Sequence, residues 1–443
     1  MTQGRRKRRS IMATLTHDHH DHTFEPECSS RRVFLRQGGM ALLSLGFAPG
    51  FVSRIVAESA ERRKLLIVIF QRGAVDGLNM VVPFGDTDYY RSRPTIAIAR
   101  PGSEGGAIDL DGFFGLHPRM SSLKSLWDNK SLAIVHASGS HATTRSHFDA
   151  QDYMESATPG VKSTKDGWLN RYLQGSKGSG GADGSSPLRG IAVTRQMPRS
   201  LQGAAPALAI GSASDFTVAD MSARTSFEEL YAAAQQDRAL KTTANEAFDA
   251  MRELAKKAAG RYRPANGADY PRSPFGQAMQ EIARLAKSDV GLEIAFAEST
   301  NWDHHVNEGA ATGQMANRLD DFSRGLAALT QDLGDRMADT VILTMSEFGR
   351  AVAENGSRGT DHGHGNAMFV IGGSVKGGSV YGKWPGLGVN DRFEGRDLAI
   401  TTDFRDVFAE VVTKHLGTDR NTSAQVFPGY AIDAARFKGL LRG

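Results

Sequence analysis

Short, largely apolar runs recur along this chain, each closed by a polar or glycine-rich loop. They span residues 65–70, 131–137, 188–194, 292–297, 340–345 and 369–371. Short runs of this kind suit strands of a parallel sheet covered on both faces. Between them lie stretches with helical spacing, at 120–127, 146–154, 226–259, 275–287, 315–333 and 404–416. The alternation predicts an α/β fold with a mostly parallel sheet and helices on both faces. The helix at 315–333 joins the run ending at Ala297 to the run starting at Thr340, a βαβ crossover of the usual right-handed kind.

The amino terminus departs from this pattern. Ser30-Arg31-Arg32-Val33-Phe34-Leu35-Arg36 precedes a weakly apolar stretch from Gly38 to Val52, the layout of a twin-arginine export signal. Residues 1–59 are therefore expected to be a leader, cut after Ser59 with Ala57 three positions before the cut. Residues 60–443 are expected to form one domain, with a glycine and serine loop at 175–186 and a helical insert at about 226–287 that lies over the site as a lid. The expected partner is the twin-arginine translocation machinery and the expected location the periplasm or, for a secreted protein, the cell exterior. No later stretch offers the roughly twenty apolar residues of a membrane span, so no stable membrane anchor is expected.

Removing the leader changes the electrostatics. The chain has 53 basic and 49 acidic residues. Residues 1–59 hold nine and five of them, leaving forty-four of each sign. The basic excess thus belongs to the leader, and a nucleic-acid partner is not expected. His17, His19, His20 and His22, which look like a metal tract, lie in the leader, as does Cys28, the single cysteine. That excludes thiolate chemistry from the remaining domain.

Candidate chemistry gathers where apolar runs end. Asp303 and His305 follow the run at 292–297, and Glu347 and Arg350 follow the run at 340–345. Asp361, His362 and His364 come next, just before the run at 369–371, and Asp76 follows the first run. His141 and His147 stand after the run at 131–137. In open α/β sheets ligands bind outside the carboxyl ends of the strands, so these groups are expected to share a crevice. Oxygen ligands mixed with imidazole suit zinc, manganese or iron. Ser146 starts a helix, with Asp149 three residues on as in a capping box, and its hydroxyl can cap that helix or face an anion. His415, at the end of the helix at 404–416, complements the helix dipole.

Five stretches carry a family resemblance: Phe70 to Asn79, Arg145 to Gln151, Trp302 to His305, Ser346 to Arg350, and Thr360 to Asn366. By these the chain resembles the exported DUF1501 proteins, which are similar to the alkaline phosphatase and sulfatase superfamily. The resemblance implies an alkaline-phosphatase-like, doubly wound sheet and two divalent metal ions, zinc, manganese or similar, flanking a hydroxyl nucleophile. It puts Asp76 and Ser146 in one metal site, with Thr144 as the substitute nucleophile. It makes Asp303, His305, Glu347, Asp361, His362 and His364 further ligands. Phe348 stands where the superfamily has an imidazole, and Asp361 and His362 either replace it or are the superfamily's own Asp-His pair. Arg350 and Arg145 would neutralise substrate oxygens. The implied function is metal-dependent hydrolysis of a small phosphate or sulfate ester. The other implied reading is an exported binding or assembly protein that keeps the fold and one metal.

Overall fold

The computed structural model describes residues 63–176, 186–211 and 262–442, together with the backbone of Leu42 and Leu43. The leader, apart from that dipeptide, and most of the expected loop at 175–186 lie outside the described residues. So does the expected insert up to residue 261.

The first apolar run becomes Leu65–Gln71 (β1), buried along its whole length at the centre of a ten-stranded sheet. Its other strands are Leu132–Gly139 (β2), Gly190–Val193 (β3), Leu208–Ile210 (β4), Ile294–Ser299 (β5), Thr340–Met345 (β6), Asn366–Gly372 (β7), Ser379–Tyr381 (β8) and Thr402–Asp403 (β9). The order is β4-β3-β5-β1-β6-β7-β2-β8, with β9 also pairing β2 and Leu42–Leu43 antiparallel to β4. Every pairing among the numbered strands is parallel except the two made by β7, which runs against both β6 and β2. This agrees with the expected mostly parallel α/β sheet. The crossover through 315–333 skips one position, since β1 lies between β5 and β6.

Alternation along β1 explains why its run is apolar without a break. Leu65, Ile67 and Ile69 pack on one side with helices Pro274–Lys287 and Gln314–Leu333. Leu66, Val68 and Phe70 pack on the other with Trp168–Gly175, Phe404–Lys414 and Arg420–Val426. A strand between two cores must be apolar at odd and even positions alike. Pro274–Lys287 is built into the layer against the sheet, through Phe275, Met279 and Ile282. That corrects the expectation that this helix stands over the site as a lid. Its start is well specified, since Pro274 opens it and the Ser273 hydroxyl accepts from the Gly276 amide.

His415, read from the sequence as a helix-end residue, ends the helix Phe404–Lys414. It is buried there, with Nε2 2.9 Å from the Leu65 carbonyl oxygen. Among the described residues no helix is long and apolar enough to cross a membrane.

Candidate metal centre

Because β1, β2, β5 and β6 are mutually parallel in the sheet, their carboxyl ends share one edge. The reversed strand β7 starts at that edge, with Asn366 opposite Ser138 at the end of β2. Three loops therefore meet there, after β1, after β5 and between β6 and β7, and the helix His147–Ser156 follows β2 into the same place. Gly73, in the loop after β1, has φ +109, and a Cβ there would lie 2.8 Å from the Asp303 amide. Only glycine lets these two loops come so close.

Three imidazoles and one carboxylate converge. His362 Nε2 lies 3.0 Å from His147 Nε2 and 2.9 Å from His305 Nε2. Asp303 Oδ1 is 3.0 Å from His305 Nε2, 3.3 Å from His362 Nε2 and 3.5 Å from His147 Nε2. Among the described residues, His147, Asp303 and His362 form the group whose ligand atoms all lie within 4.8 Å of one another. His305 adjoins it on the Asp303 and His362 side.

What stands behind each ring decides which nitrogen carries the proton. His147 Nδ1 is 2.8 Å from Glu347 Oε1, and His362 Nδ1 is 2.8 Å from the Arg145 carbonyl oxygen. His305 Nδ1 faces Asp361 Oδ1 at 3.4 Å. These oxygens only accept, so each Nδ1 holds the hydrogen and each Nε2 presents its lone pair to the others. One proton cannot relieve this crowding, because His362 Nε2 has a single lone pair and two other Nε2 atoms within 3.0 Å. A cation placed between the donors can.

The separations fit such a cation. Tetrahedral zinc with bonds of about 2.0–2.1 Å has ligand atoms roughly 3.3–3.4 Å apart. Within the group His147, Asp303 and His362 the contacts run from 3.0 to 3.5 Å, and His305 stands 2.9 to 3.0 Å from two of its members. Three imidazoles with one carboxylate suit zinc, manganese or iron.

The supporting groups are themselves fixed. Glu347 is buried, and its Oε1 accepts from the Gly73 amide at 2.8 Å and from Gln151 Nε2 at 2.9 Å as well as from His147. Gln151 in turn accepts from Arg72, which pairs with Glu155 and Glu298. Burial pushes the Glu347 carboxyl up, yet these donors outweigh it and hold the group below its ordinary range. The hydrogen bond to Glu347 raises His147, making it a more basic ring and a better donor to any cation. Asp303 resists burial in the same way, since Arg350 donates to its Oδ1 at 2.5 Å and keeps it below the usual carboxylate value. Burial lowers His362.

The residues singled out in the sequence thus divide. Asp303, His305 and His362 meet at the donor cluster. Glu347 and Asp361 stand one step back, against the Nδ1 atoms of His147 and His305. Arg350 is buried, donating to the carbonyls of Gly73, Ala74, Trp302 and Thr360 besides Asp303. Arg145 pairs with Asp397 and Glu394. Asp76 is buried in an ion pair with Arg93 and caps the helix Gly77–Met80. His364 stacks on Phe393 with ring centroids 4.1 Å apart. Neither belongs to the cluster. Ser146 is the N-cap of His147–Ser156, but its exposed hydroxyl makes no capping bond, while its amide donates to Thr144 Oγ1. Phe348 walls the cluster, its ring centroid 4.9 Å from that of His147 and 5.1 Å from that of His362.

The sequence places His147 at the shared crevice but does not name it as a ligand; the residue opens the helix that follows β2, directly after the N-cap Ser146.

For a zinc ion held by this cluster, the Glu347 arrangement predicts that Glu347→Gln would weaken binding by roughly 10- to 100-fold, the usual cost of losing an outer partner of a ligating histidine. Competition with a chromophoric chelator measures it, and unchanged affinity would remove Glu347 from the centre.

An α/β protein with three imidazoles and a carboxylate gathered at the carboxyl edge of a mostly parallel sheet is the class these observations define. Residues 63–426 match the family model described as "Protein of unknown function (DUF1501)", and the chain belongs to that family. No curated protein matches it.

Proposed function

We propose that this protein is an exported, metal-dependent hydrolase of phosphate or sulfate esters. The observation that carries the reading is the convergence of His147, His305 and His362 Nε2 on Asp303 Oδ1, each ring held in one tautomer from behind. Among the described residues one such group supports one ion rather than the two implied by the family resemblance. The doubly wound, alkaline-phosphatase-like arrangement belongs to the same proposal and rests on helices covering both faces of the sheet. The twin-arginine motif at Arg31 and Arg32 supports export.

His147, His305, His362 and Asp303 would hold the ion. A divalent ion there supplies Lewis-acid polarisation of an ester oxygen and makes a nearby hydroxyl or water more acidic. Arg350 keeps Asp303 ionised and aimed into the cluster. Glu347 and Asp361 orient two of the rings, and the Arg145 carbonyl orients the third. Ser146 is the nucleophile in this reading. Its hydroxyl stands at the positive end of a helix, next in sequence to a donor, and is not used for capping.

Ser146→Ala is expected to lower turnover of a generic aryl phosphate or aryl sulfate by at least about a thousandfold while zinc content stays at the wild-type level. Retained turnover would assign the attack to water. A second reading, a metal-holding binding protein without turnover, is favoured by one observation. The guanidinium groups of both Arg350 and Arg145 are engaged within the protein. Bound metal with no hydrolysis of either ester would establish that reading instead.

A further inference from the structure

We infer that Gln151 and Arg72 are positioning residues of the centre: Arg72 fixes which end of the Gln151 amide faces Glu347, and Glu347, so held, keeps the His147 ring aimed at the cluster. The inference rests on the metal-centre reading above and extends it to two residues that stand one and two hydrogen bonds behind Glu347.

Glu347 Oε1 accepts from three donors, the Gly73 amide, His147 Nδ1 and Gln151 Nε2. A side-chain amide can be turned end for end, which exchanges a donor for an acceptor. Turned, Gln151 would set its oxygen against a carboxylate oxygen at hydrogen-bond distance. Arg72 prevents this, because its Nη1 donates to Gln151 Oε1 at 3.0 Å. A guanidinium accepts nothing, so the amide keeps its oxygen towards Arg72 and its hydrogens towards Glu347.

The guanidinium is itself fixed on two further sides. Its Nε donates to Glu298 Oε1 at 2.6 Å on β5, and its Nη2 donates to Glu155 Oε1 at 2.8 Å, one turn beyond Gln151 on the same helix. Glu155 is buried, and its other oxygen accepts the Ser200 amide and hydroxyl. Three nitrogens of one planar group thus meet three acceptors, which the single ammonium of a lysine cannot reproduce. Arg72 directly follows β1 and precedes Gly73, the source of another Glu347 donor. The end of β1, the strand β5 and the helix that starts at His147 are therefore tied together around the carboxylate that backs this ring.

The order of effects at Gln151 separates an oriented donor from a space filler. For a space filler the isosteric Gln151→Glu is the mildest change. For an oriented donor it is the worst, since it sets an acceptor against Glu347. By chelator competition on the full chain, Gln151→Met is expected to weaken zinc binding by roughly tenfold, the lower end of the cost of an outer-shell partner, and Gln151→Glu to weaken it further. Arg72→Lys should cost a similar factor to Gln151→Met. The two combined should cost no more than Gln151→Met alone, because both break one link. Gln151→Met leaves the ion pairs of Arg72 in place, so that test does not depend on the fold tolerating a change at Arg72. In metal-free protein, long-range proton–nitrogen NMR spectra should show the His147 hydrogen on Nδ1 alone in the wild type and on both nitrogens in Gln151→Glu. A Gln151→Glu milder than Gln151→Met, additive losses in the double variant, or an unchanged His147 spectrum in Gln151→Glu each overturns the inference while zinc binding by the wild type stands. A wild type that binds no zinc overturns the metal-centre reading, and the His147 spectra then decide the positioning on their own.

Discussion

Zinc binding by His362→Ala is expected to be at least roughly a hundredfold weaker than wild type, beyond the cost of losing any outer-shell partner. His362 is the hub of the cluster. Its Nε2 is within 3.3 Å of the other two imidazole nitrogens and of Asp303 Oδ1, so removing it leaves His147 and His305 joined only through Asp303. His364→Ala is the informative control. The family resemblance made both histidines ligands, yet His364 lies against Phe393 and outside the group. Its substitution should leave zinc affinity within a few-fold of wild type. Chelator competition on both variants, with far-ultraviolet circular dichroism to verify the fold, decides the matter. Equal losses would mean that the cluster is assembled differently in solution.

A steep loss of stability between pH 6.5 and pH 4 is the second large effect expected. Burial pushes His117, His136 and His415 down from about 6.5 to about 4 each. All three lie away from the metal centre. The geometry explains why the neutral form is held. His117 Nε2 is 3.0 Å from the Ala310 carbonyl oxygen while its Nδ1 accepts from the Arg119 amide. His136 is clamped in the same way between the Val81 carbonyl and the Ala137 amide. Protonation would place a hydrogen where an amide already donates.

Below pH 6.5 the unfolded chain takes up protons that the folded chain refuses, so stability is full above that value and falls as the pH drops towards 4. Each histidine costs about 1.4 kcal/mol per pH unit in that window. Three together cost roughly 4 kcal/mol per unit, against a total stability of about 5–15 kcal/mol for a typical domain. Urea midpoints at pH 7.5, 6.5, 5.5 and 4.5 read this directly. A midpoint that stays flat down to pH 5 would show that these rings titrate normally.

The strands were the most legible part of the sequence. The run at 340–345 became Thr340–Met345 with the same bounds, because a strand buried on both faces is dominated by apolar and β-branched residues and ends where Ser346 and Glu347 follow. The run at 292–297 settled two residues later, as Ile294–Ser299, since the sheet pairs it with β1 through Ser299. Strand direction was not legible. An apolar run reads alike both ways, and nothing in 366–372 announces that this strand is reversed. The segment at 120–127 begins as a tight helix at Pro118–Leu123 and turns α-helical only at Lys124–Asp128, a change its apolar spacing does not encode.

Within the site, the residue types and their location at strand ends were legible, but not their ranks. Whether Glu347 touches a cation or a ring nitrogen depends on side-chain reach of less than 3 Å, which spacing along a chain cannot resolve. Asp76 offered no sign of its partner, because Arg93 lies in a loop without periodic pattern. Trp302 is fully buried in the core, donating from Nε1 to the Ser299 carbonyl.

The reversed strand Asn366–Gly372 has one more consequence. It lies between Thr340–Met345 and Leu132–Gly139, two strands made earlier in the chain, and its first residue is only four positions beyond His362. The fourth donor therefore comes into place together with this late segment, which joins those two strands into one sheet. A chain still emerging, or one stalled before that step, offers three donors at most. In the metal-centre reading proposed above, occupancy by an ion would therefore report a molecule whose sheet is finished.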